Sequence, residues 1–333
     1  ADSIGSNFYF KVNGVPIFVK GANYIPQDNF LSRLKKENYT KLIQDAEKSN
    51  INMLRIWGGG VYEKDLFYEL CDEQGIMVWQ DFMFACNLYP GDSLFNQNVK
   101  LEAIDHIKRI RNHPSLVLWC GNNEVDEAWH NWGWQKQLGY STEDSLEIWQ
   151  HYLDLFENLL PGLIEEYNPD IPYWSSSPSN GWGRDKAYKE GDVHYWGVWW
   201  GKEPFELYEE KVGRFMSEYG FQGMPDLKTI HEFTLPEDRN MNSVVMNVHQ
   251  KNPFGWEAIQ EYMLRDYKVP QLFDDYIYVS QLLQARGIRT AIEAHRRAKP
   301  YCMGTLYWQF NDCWPVTSWS GIDYYGRWKA MQY

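Results

Sequence analysis

The chain of 333 residues carries a formal net charge of −13, and 17% of its residues are aromatic, including 17 tryptophans. This charge argues against nucleic acids and anionic membranes as partners, because the field of the protein repels phosphate groups. Five cysteines without a CxxC pair indicate neither a disulfide framework nor a zinc site. No apolar run of the sequence reaches the length of a membrane span.

Strand-like apolar stretches alternate with helical patterns along the chain. The predicted strands are residues 15–21, 53–57, 76–80, 116–119, 173–175, 192–195, 215–217 and 304–308. The predicted helices are residues 39–49, 63–74, 99–111, 145–167 and 271–298. Residues 222–270 show no clear period, which predicts a long loop with short helices over the mouth of the fold.

This alternation predicts the fold class, α/β with parallel pairing of the strands. Eight such units close most naturally as a (β/α)8 TIM barrel, and residues 1–333 are long enough for one such domain. A doubly wound open sheet is the alternative, but the glycine run at 58–60 lacks the GxGxxG spacing of its phosphate turn.

Polar side chains follow almost every predicted strand. In chain order they are Asn23, Asp81, Asn123, Glu124, Ser175, Ser176, Ser177, His194, Tyr195, Glu218 and Gln309. A barrel brings the carboxyl ends of its strands to one face, so these groups are expected to surround a shared site. The many tryptophans and tyrosines suit a carbohydrate, whose C–H face packs on aromatic rings while its hydroxyls need polar partners.

Two glutamates carry the chemistry predicted for this site. Glu124 lies next to two amides and a tryptophan-rich loop at 129–134, a dry setting that raises a carboxyl pKa and favours a general acid. Glu218 precedes Tyr219, whose phenol is expected to keep it ionised as a nucleophile. Asn123 is placed to bond the 2-hydroxyl of a sugar. Two carboxyls in different environments are what glycoside hydrolysis requires.

Other interpretations of these residues remain open from the sequence. Taken alone, each glutamate is compatible with an ordinary surface charge that follows a strand. The tryptophans, taken alone, are compatible with a non-catalytic carbohydrate-binding module. Arg55 either orients the nucleophile or pairs with an acid inside the barrel. Five histidines show no spacing with carboxylates that indicates a metal site: His106, His113, His231, His249 and His295.

Five motifs make the sequence resemble the β-mannosidases of glycoside hydrolase family 2. They are LRIWGGG at 54–60, WQDFM at 79–83, WCGNNE at 119–124, SEYGFQ at 217–222 and GTLYWQFNDCWP at 304–315. The resemblance runs from about Phe8 to the end of the sequence. Related exo-acting glycosidases, namely β-glucuronidases, β-galactosidases and exo-glucosaminidases, share the same two-carboxylate arrangement and remain alternatives.

The resemblance implies a role for each motif residue. Glu124 is the expected acid/base, Glu218 the nucleophile and Asn123 the ligand of the 2-hydroxyl. The further residues that it places at the substrate are Trp57, Trp132, Trp308, Asp81, His194 and Tyr195. The implied reaction removes a terminal, non-reducing β-mannose with retention and needs no metal or organic cofactor.

The resemblance also implies partners outside the barrel. Whole members of the family carry β-sandwich domains before and after it, and a loop of the leading sandwich helps to close the pocket. This sequence contains neither sandwich, so weak sugar binding is expected of the barrel alone. The family occurs in periplasmic, secreted or lysosomal settings, and the sequence does not choose among them.

Overall fold

The computed structural model describes residues 2–184 and 186–333. Its centre is an eight-stranded sheet in which every hydrogen-bonded pair is parallel. The strands are β3 (Val19–Tyr24), β4 (Met53–Ile56), β5 (Met77–Asp81), β6 (Leu116–Cys120), β7 (Tyr173–Trp174), β8 (Val193–His194), β9 (Met216–Glu218) and β10 (Gly304–Tyr307). They pair in chain order, and β10 returns to β3. The predicted (β/α)8 barrel is confirmed.

Side chains connect β7 and β8, which stand at the two ends of the hydrogen-bonded order. The carboxylate of Asp192, just before β8, accepts a hydrogen bond from Trp174 Nε1 at 2.9 Å and one from Ser177 Oγ at 2.6 Å. Both donors lie in or just after β7. The carboxylate therefore bridges the neighbouring strands where backbone pairing is absent among the described residues.

Two short strands precede the barrel as an antiparallel hairpin, β1 (Phe10–Val12) and β2 (Val15–Ile17). The sequence prediction merged β2 with the first barrel strand into one element at 15–21. Beside the hairpin, the ring of Phe8 lies 5.7 Å from that of Trp79 and 5.1 Å from that of Phe215. These aromatic side chains fill the amino-terminal end of the barrel, which leaves the carboxyl end for a site.

Helices surround the barrel. They are α1 (Lys36–Lys48), α2 (Asp65–Gln74), α3 (Ser93–Ile110), α4 (Val125–Asn131), α5 (Trp134–Gln137), α6 (Thr142–Tyr152), α7 (Leu160–Tyr167), α8 (Leu207–Glu210), α9 (Leu227–Phe233), α10 (Val244–Val248), α11 (Gly255–Asp266) and α12 (Phe273–Arg297). A π-helical segment, Leu153–Leu159, joins α6 to α7. Short 3₁₀ turns occur at Leu31–Arg33, Pro236–Asp238 and Ala330–Gln332.

Two helical regions differ from the sequence prediction. Helix α3 begins well before residue 99, because Asp92 caps it by accepting hydrogen bonds from the backbone N–H groups of Leu94 and Phe95. The segment 222–270 contains α9, α10 and α11, and α11 packs against α12. No helix among the described residues is long and apolar enough to cross a membrane.

Candidate active site

Glu124 and Glu218 meet at the carboxyl end of the barrel. Glu218 is the last residue of β9, and Glu124 lies between β6 and α4. One oxygen of each carboxyl, together with a ring nitrogen of His194, belongs to a group of atoms that all lie within 4.8 Å of one another. The ring atom Nδ1 of His194 is 2.9 Å from Glu124 Oε1 and 3.5 Å from Glu218 Oε2. Residues distant in the sequence thus form one cluster of acids around a histidine.

The backbone of Glu124 is held in an uncommon conformation. Its φ is +60°, in the left-handed region that non-glycine residues rarely adopt. Its N–H donates to the carbonyl of Ser177 at 2.8 Å. The side chain of Asn122 donates to the Ser175 carbonyl at 2.9 Å and accepts from the N–H of Val125 at 3.0 Å. These bonds fix the turn that directs Glu124 over the barrel, so Asn122 supports the site without lining it.

Arg55 is the buried centre of the hydrogen-bond network below the two glutamates. Its Nη1 donates to Glu218 Oε2 at 3.1 Å and to Asn23 Oδ1 at 2.9 Å. Its Nη2 donates to Asn123 Oδ1 at 2.7 Å and to Asp81 Oδ2 at 2.9 Å. Both roles considered for Arg55 from the sequence therefore occur together: it orients Glu218 and pairs with a buried acid.

Asp81 was expected at the substrate, and the structure places it elsewhere. Its side chain is fully buried and does not line the cavity described below. Its oxygens accept hydrogen bonds from Arg55, from the N–H of Gly58 at 3.0 Å and from Trp79 Nε1 at 2.9 Å. Asp81 thus neutralises and orients Arg55 and has no free oxygen for a sugar hydroxyl.

We expect Arg55→Met to lower the free energy of unfolding by about 3–5 kcal/mol, because it leaves the carboxylate of Asp81 buried without its cation. Denaturant unfolding followed by circular dichroism measures the change. The matched control is Arg289→Met, which breaks an exposed ion pair with Glu293 of 2.7 Å. Similar midpoints for the two variants would contradict a structural role for the buried pair.

Burial raises the pKa of both Glu124 and Glu218. The direct guanidinium contact of Arg55, and a hydrogen bond of 3.2 Å from Trp196 Nε1, favour ionisation of Glu218 first. The phenol of Tyr219, expected from the sequence to stabilise Glu218, instead bonds Thr305 Oγ1 at 2.6 Å. The predicted contact of Tyr219 with Glu218 is therefore wrong, and Arg55 and Trp196 are the groups that stabilise ionised Glu218.

A cavity of about 690 Å³ opens above the two glutamates. Its lining residues are Trp57, Cys86, Asn123, Glu124, Glu127, Asn131, Trp132, Trp182, Gly183, Trp196, Trp200, Glu218, Trp308 and Trp319. The rings of Trp57 and Trp308 meet at 5.0 Å with an interplanar angle of 72°. The cavity combines aromatic walls with two amides and three carboxyls, as expected of a saccharide site.

Four of the expected substrate-binding residues line this cavity: Trp57, Asn123, Trp132 and Trp308. Four further tryptophans were missed from the sequence: Trp182, Trp196, Trp200 and Trp319. Trp182 and Trp200 lie in irregular loops, where periodicity gives no direction for a side chain. Trp196 carried a usable signal, because it follows His194 by two residues and therefore lies on the same side of an extended segment.

His194 and Tyr195, expected at the substrate, lie outside the lining of the cavity. The ring of His194 is buried beneath Glu124 and Glu218, which it contacts directly. Tyr195 is fully buried, and its hydroxyl donates to Glu203; only its backbone N–H reaches Glu218, by a 2.8 Å bond to the carbonyl. Successive side chains of a strand point to opposite faces, so an inward His194 turns Tyr195 outward.

The cluster of Glu124, His194 and Glu218 is compact enough for its ligand atoms to share a metal ion. The donors nevertheless already have a cation beside them: Arg55 Nη1 lies 3.1 Å from Glu218 Oε2 and 3.5 Å from His194 Nε2. A metal ion between these groups would stand against a fixed guanidinium in a buried setting. The charges of the cluster fit carboxyl chemistry better than metal coordination.

Comparisons with known proteins agree with the geometry. The chain is 38% identical over 358 residues to the β-mannosidase of Bos taurus and 36% identical over 354 residues to β-mannosidase B of Thermothelomyces thermophilus. These alignments cover 100% and 99% of the chain and 40% of each relative. The crystal structure of a β-D-mannosidase from Dictyoglomus thermophilum superposes with a TM-score of 0.92 at 44% identity, over 100% of this chain and 40% of that one.

No protein-family model matches the chain. The chain spans about 40% of the length of the curated relatives named above, and the matched part contains both glutamates and the whole barrel. Both the sequence similarity over the full chain and the near superposition of the barrel point to one family. Over its full length the chain is similar to the β-mannosidases named above, its barrel matches the corresponding part of the β-D-mannosidase structure, and these matches are consistent with glycoside hydrolase family 2.

Proposed function

We propose that this chain is the catalytic barrel of an exo-acting β-mannosidase that removes terminal, non-reducing β-D-mannose from β-mannosides with retention of configuration. The single observation that carries the proposal is the meeting of Glu124 and Glu218 at the floor of a tryptophan-lined cavity. A non-catalytic sugar-binding module does not need two buried carboxyls that face each other, because their burial costs free energy without strengthening the binding of a sugar.

In the proposed first step, an oxygen of Glu218 attacks the anomeric carbon while the bond from that carbon to the leaving oxygen breaks. Glu124 gives its proton to that oxygen, and a mannosyl ester of Glu218 remains. In the second step, Glu124 takes a proton from water, whose oxygen attacks the anomeric carbon and releases Glu218 as a carboxylate. Two inversions at one carbon give net retention.

The separation of the carboxyls supports retention. Retaining glycosidases place their carboxyl groups about 5–5.5 Å apart, whereas inverting ones need about 6.5–9.5 Å to admit a water molecule. The group of atoms formed by Glu124, His194 and Glu218 has no separation above 4.8 Å, which favours the first arrangement. Arg55 contributes by aiming Glu218 Oε2 with a charge-assisted hydrogen bond of 3.1 Å.

Asn123 supports specificity at the neighbouring hydroxyl of the sugar. Its carbonyl oxygen accepts from Arg55 at 2.7 Å, and its amide nitrogen, which faces Glu124, donates to Cys86 Sγ at 3.4 Å. We propose that this nitrogen donates to the 2-hydroxyl, a bond that strengthens as charge develops at the anomeric carbon. We also propose that β-sandwich domains outside the barrel complete the pocket, since the matched relatives are much longer than this chain.

A panel of aryl β-glycosides tests the substrate assignment. We expect the purified protein to hydrolyse the β-mannoside at least about 10²-fold faster, in kcat/KM, than its C2 epimer, the β-glucoside. The β-galactoside, β-glucuronide and β-glucosaminide serve as further comparisons. A preference for one of them would move the assignment to a related exo-glycosidase, and binding of mannose without turnover would favour the non-catalytic module.

Proton NMR of the first product tests the stereochemistry. We expect β-mannose to appear before mutarotation produces the α-anomer. Initial release of the α-anomer would contradict the double displacement and leave the substrate assignment intact.

A further inference from the structure

We propose that Ser177 and Asp192 are positioning residues that fix the tautomer of His194, and that the fixed ring holds the catalytic proton on Glu124. The inference rests on the proposed function, because it assumes that Glu124 is the general acid. Asp192, Ser177, His194 and Glu124 form one continuous chain of hydrogen-bonded contacts.

Asp192 is the fixed end of this chain of hydrogen bonds. Its Oδ1 accepts from Trp174 Nε1 at 2.9 Å and from the N–H of Ser179 at 3.0 Å. Its Oδ2 lies 2.6 Å from the hydroxyls of both Ser177 and Ser217. A buried carboxylate surrounded by donors on both oxygens accepts and does not donate. Ser177 therefore donates its single hydroxyl hydrogen to Asp192.

This hydrogen bond decides which nitrogen of His194 carries hydrogen. Ser177 Oγ lies 2.9 Å from His194 Nε2, and with its own hydrogen on Asp192 it must accept there. His194 Nε2 is consequently the protonated nitrogen of the ring. The neighbouring Nη1 of Arg55, 3.5 Å away, does not oppose this assignment. Both of its hydrogens are used, on Asn23 at 2.9 Å and on Glu218 at 3.1 Å.

A neutral ring with hydrogen on Nε2 presents a lone pair at Nδ1. Burial lowers the pKa of His194 to about 4, which keeps the ring neutral near neutral pH. Nδ1 lies 2.9 Å from Glu124 Oε1, a distance at which two acceptors repel and an acid O–H bonds. The contact therefore favours the protonated form of Glu124. Glu218 lies farther from Nδ1, at 3.5 Å, and its contact with Arg55 favours its ionised form.

Other charged and titratable groups surround Glu124 and His194 and also affect whether Glu124 is protonated. Those near Glu124 are Cys86 after β5, Glu218 on β9, Arg55 on β4 and Glu127 on α4. Those near His194 include Asp81 on β5 and Asp192 before β8. The thiol of Cys86, 3.4 Å from Glu124 Oε2, and the charge of Arg55 favour ionised Glu124, and the charge of Glu124 in turn raises the pKa of Glu218. An experiment must therefore change the tautomer and leave these charges in place.

The arrangement serves both steps of the proposed reaction. Before the first step it stores the proton on the acid. Once the leaving oxygen has taken that proton, the Glu124 carboxylate faces the Nδ1 lone pair without a hydrogen between them. This repulsion makes the carboxylate a stronger base toward the incoming water, from which it recovers a proton in the second step.

The test compares Ser177→Ala with Ser217→Ala. Both variants remove one hydroxyl from the same oxygen of Asp192, but only Ser177 contacts His194. Without the Ser177 hydroxyl, the tautomer of His194 with hydrogen on Nδ1 becomes more favourable. Its Nδ1–H then donates to the Glu124 carboxylate, which lowers the pKa of Glu124. We expect the alkaline limb of kcat/KM for phenyl β-D-mannoside to move down by about one pH unit in Ser177→Ala only. Equal shifts in both variants would overturn the proposal.

Nitrogen NMR of histidine-labelled protein reads the tautomer without turnover. We expect hydrogen on Nε2 of His194 in the parent and in Ser217→Ala, and on Nδ1 in Ser177→Ala. Hydrogen on Nδ1 in the parent would overturn the proposal even if Ser177→Ala does not fold. A protein that shows the expected tautomer but hydrolyses no mannoside would contradict the proposed function and leave the tautomer assignment standing.

Discussion

Glu218→Ala is expected to lower kcat for aryl β-mannosides by about 10⁴-fold or more, because the first displacement then has no nucleophile. Arg55, Asn123 and the tryptophan walls remain, so binding of the sugar is expected to persist. Steady-state kinetics with an aryl mannoside measures the loss, and titration with mannose checks that the site still binds. A loss below about 10²-fold would remove Glu218 from the role of nucleophile.

Chemical rescue separates this role from a structural one. The alanine leaves space next to the anomeric carbon on the face that Glu218 attacks, so azide is expected to restore turnover by direct attack. One displacement inverts the centre, and the product is α-mannosyl azide. The matched control is Glu63→Ala, which removes another buried carboxyl, bonded by Tyr24 at 2.6 Å and Tyr39 at 2.9 Å. We expect it to destabilise the protein with no rescue by azide.

The position of both glutamates was predictable because it depends on chain order and strand ends. Alternating strands and helices imply a barrel, and a barrel collects the residues after each strand at one face. Glu124 and Glu218 therefore meet although they are far apart in the sequence. The first strand was harder to predict from the sequence. Residues 15–21 show one apolar pattern, yet Val15–Ile17 belongs to a hairpin and Val19–Tyr24 to the barrel.

Side-chain direction is what the sequence did not supply. A strand-end position says which face of the barrel a residue is near, but a shift of one residue turns a side chain from inside to outside. Tyr195 is the example, since its neighbour His194 takes the inward position. Asp81 shows a second limit: it lies at the correct end, but Arg55, Gly58 and Trp79 use its oxygens. Only the packed structure reveals which polar groups are already satisfied.

Glu124→Ala is expected to give a loss that depends on the leaving group. Phenyl β-D-mannoside needs a proton on its leaving oxygen, so its kcat/KM should fall by roughly 10²–10⁴-fold. Dinitrophenyl β-D-mannoside leaves without a proton, so its first step should change little. The second step then lacks its base, and the mannosyl ester of Glu218 accumulates. Rapid-mixing kinetics should show a burst of dinitrophenolate equal to the enzyme concentration.

The pH profile gives an independent signature of the same residue. Glu124 acts when protonated, and burial raises its pKa, so the activity of the parent should extend above the usual carboxyl range and fall as pH rises through that pKa. Glu218 acts when ionised, and burial raises its pKa as well, so activity should fall as pH drops through it. Glu124→Ala should lose the alkaline limb and keep the acid limb.

Glu127→Ala is the matched control for Glu124→Ala, because it removes a third carboxyl of the same cavity, one helical turn away on α4. We expect it to keep the alkaline limb and to show no burst. Azide should rescue Glu124→Ala at the second step, by attacking the mannosyl ester in place of water, and two inversions make the product β-mannosyl azide. Opposite anomers of the azide from Glu218→Ala and Glu124→Ala would assign the two carboxyls to opposite faces of the sugar. The same anomer from both would contradict the double displacement.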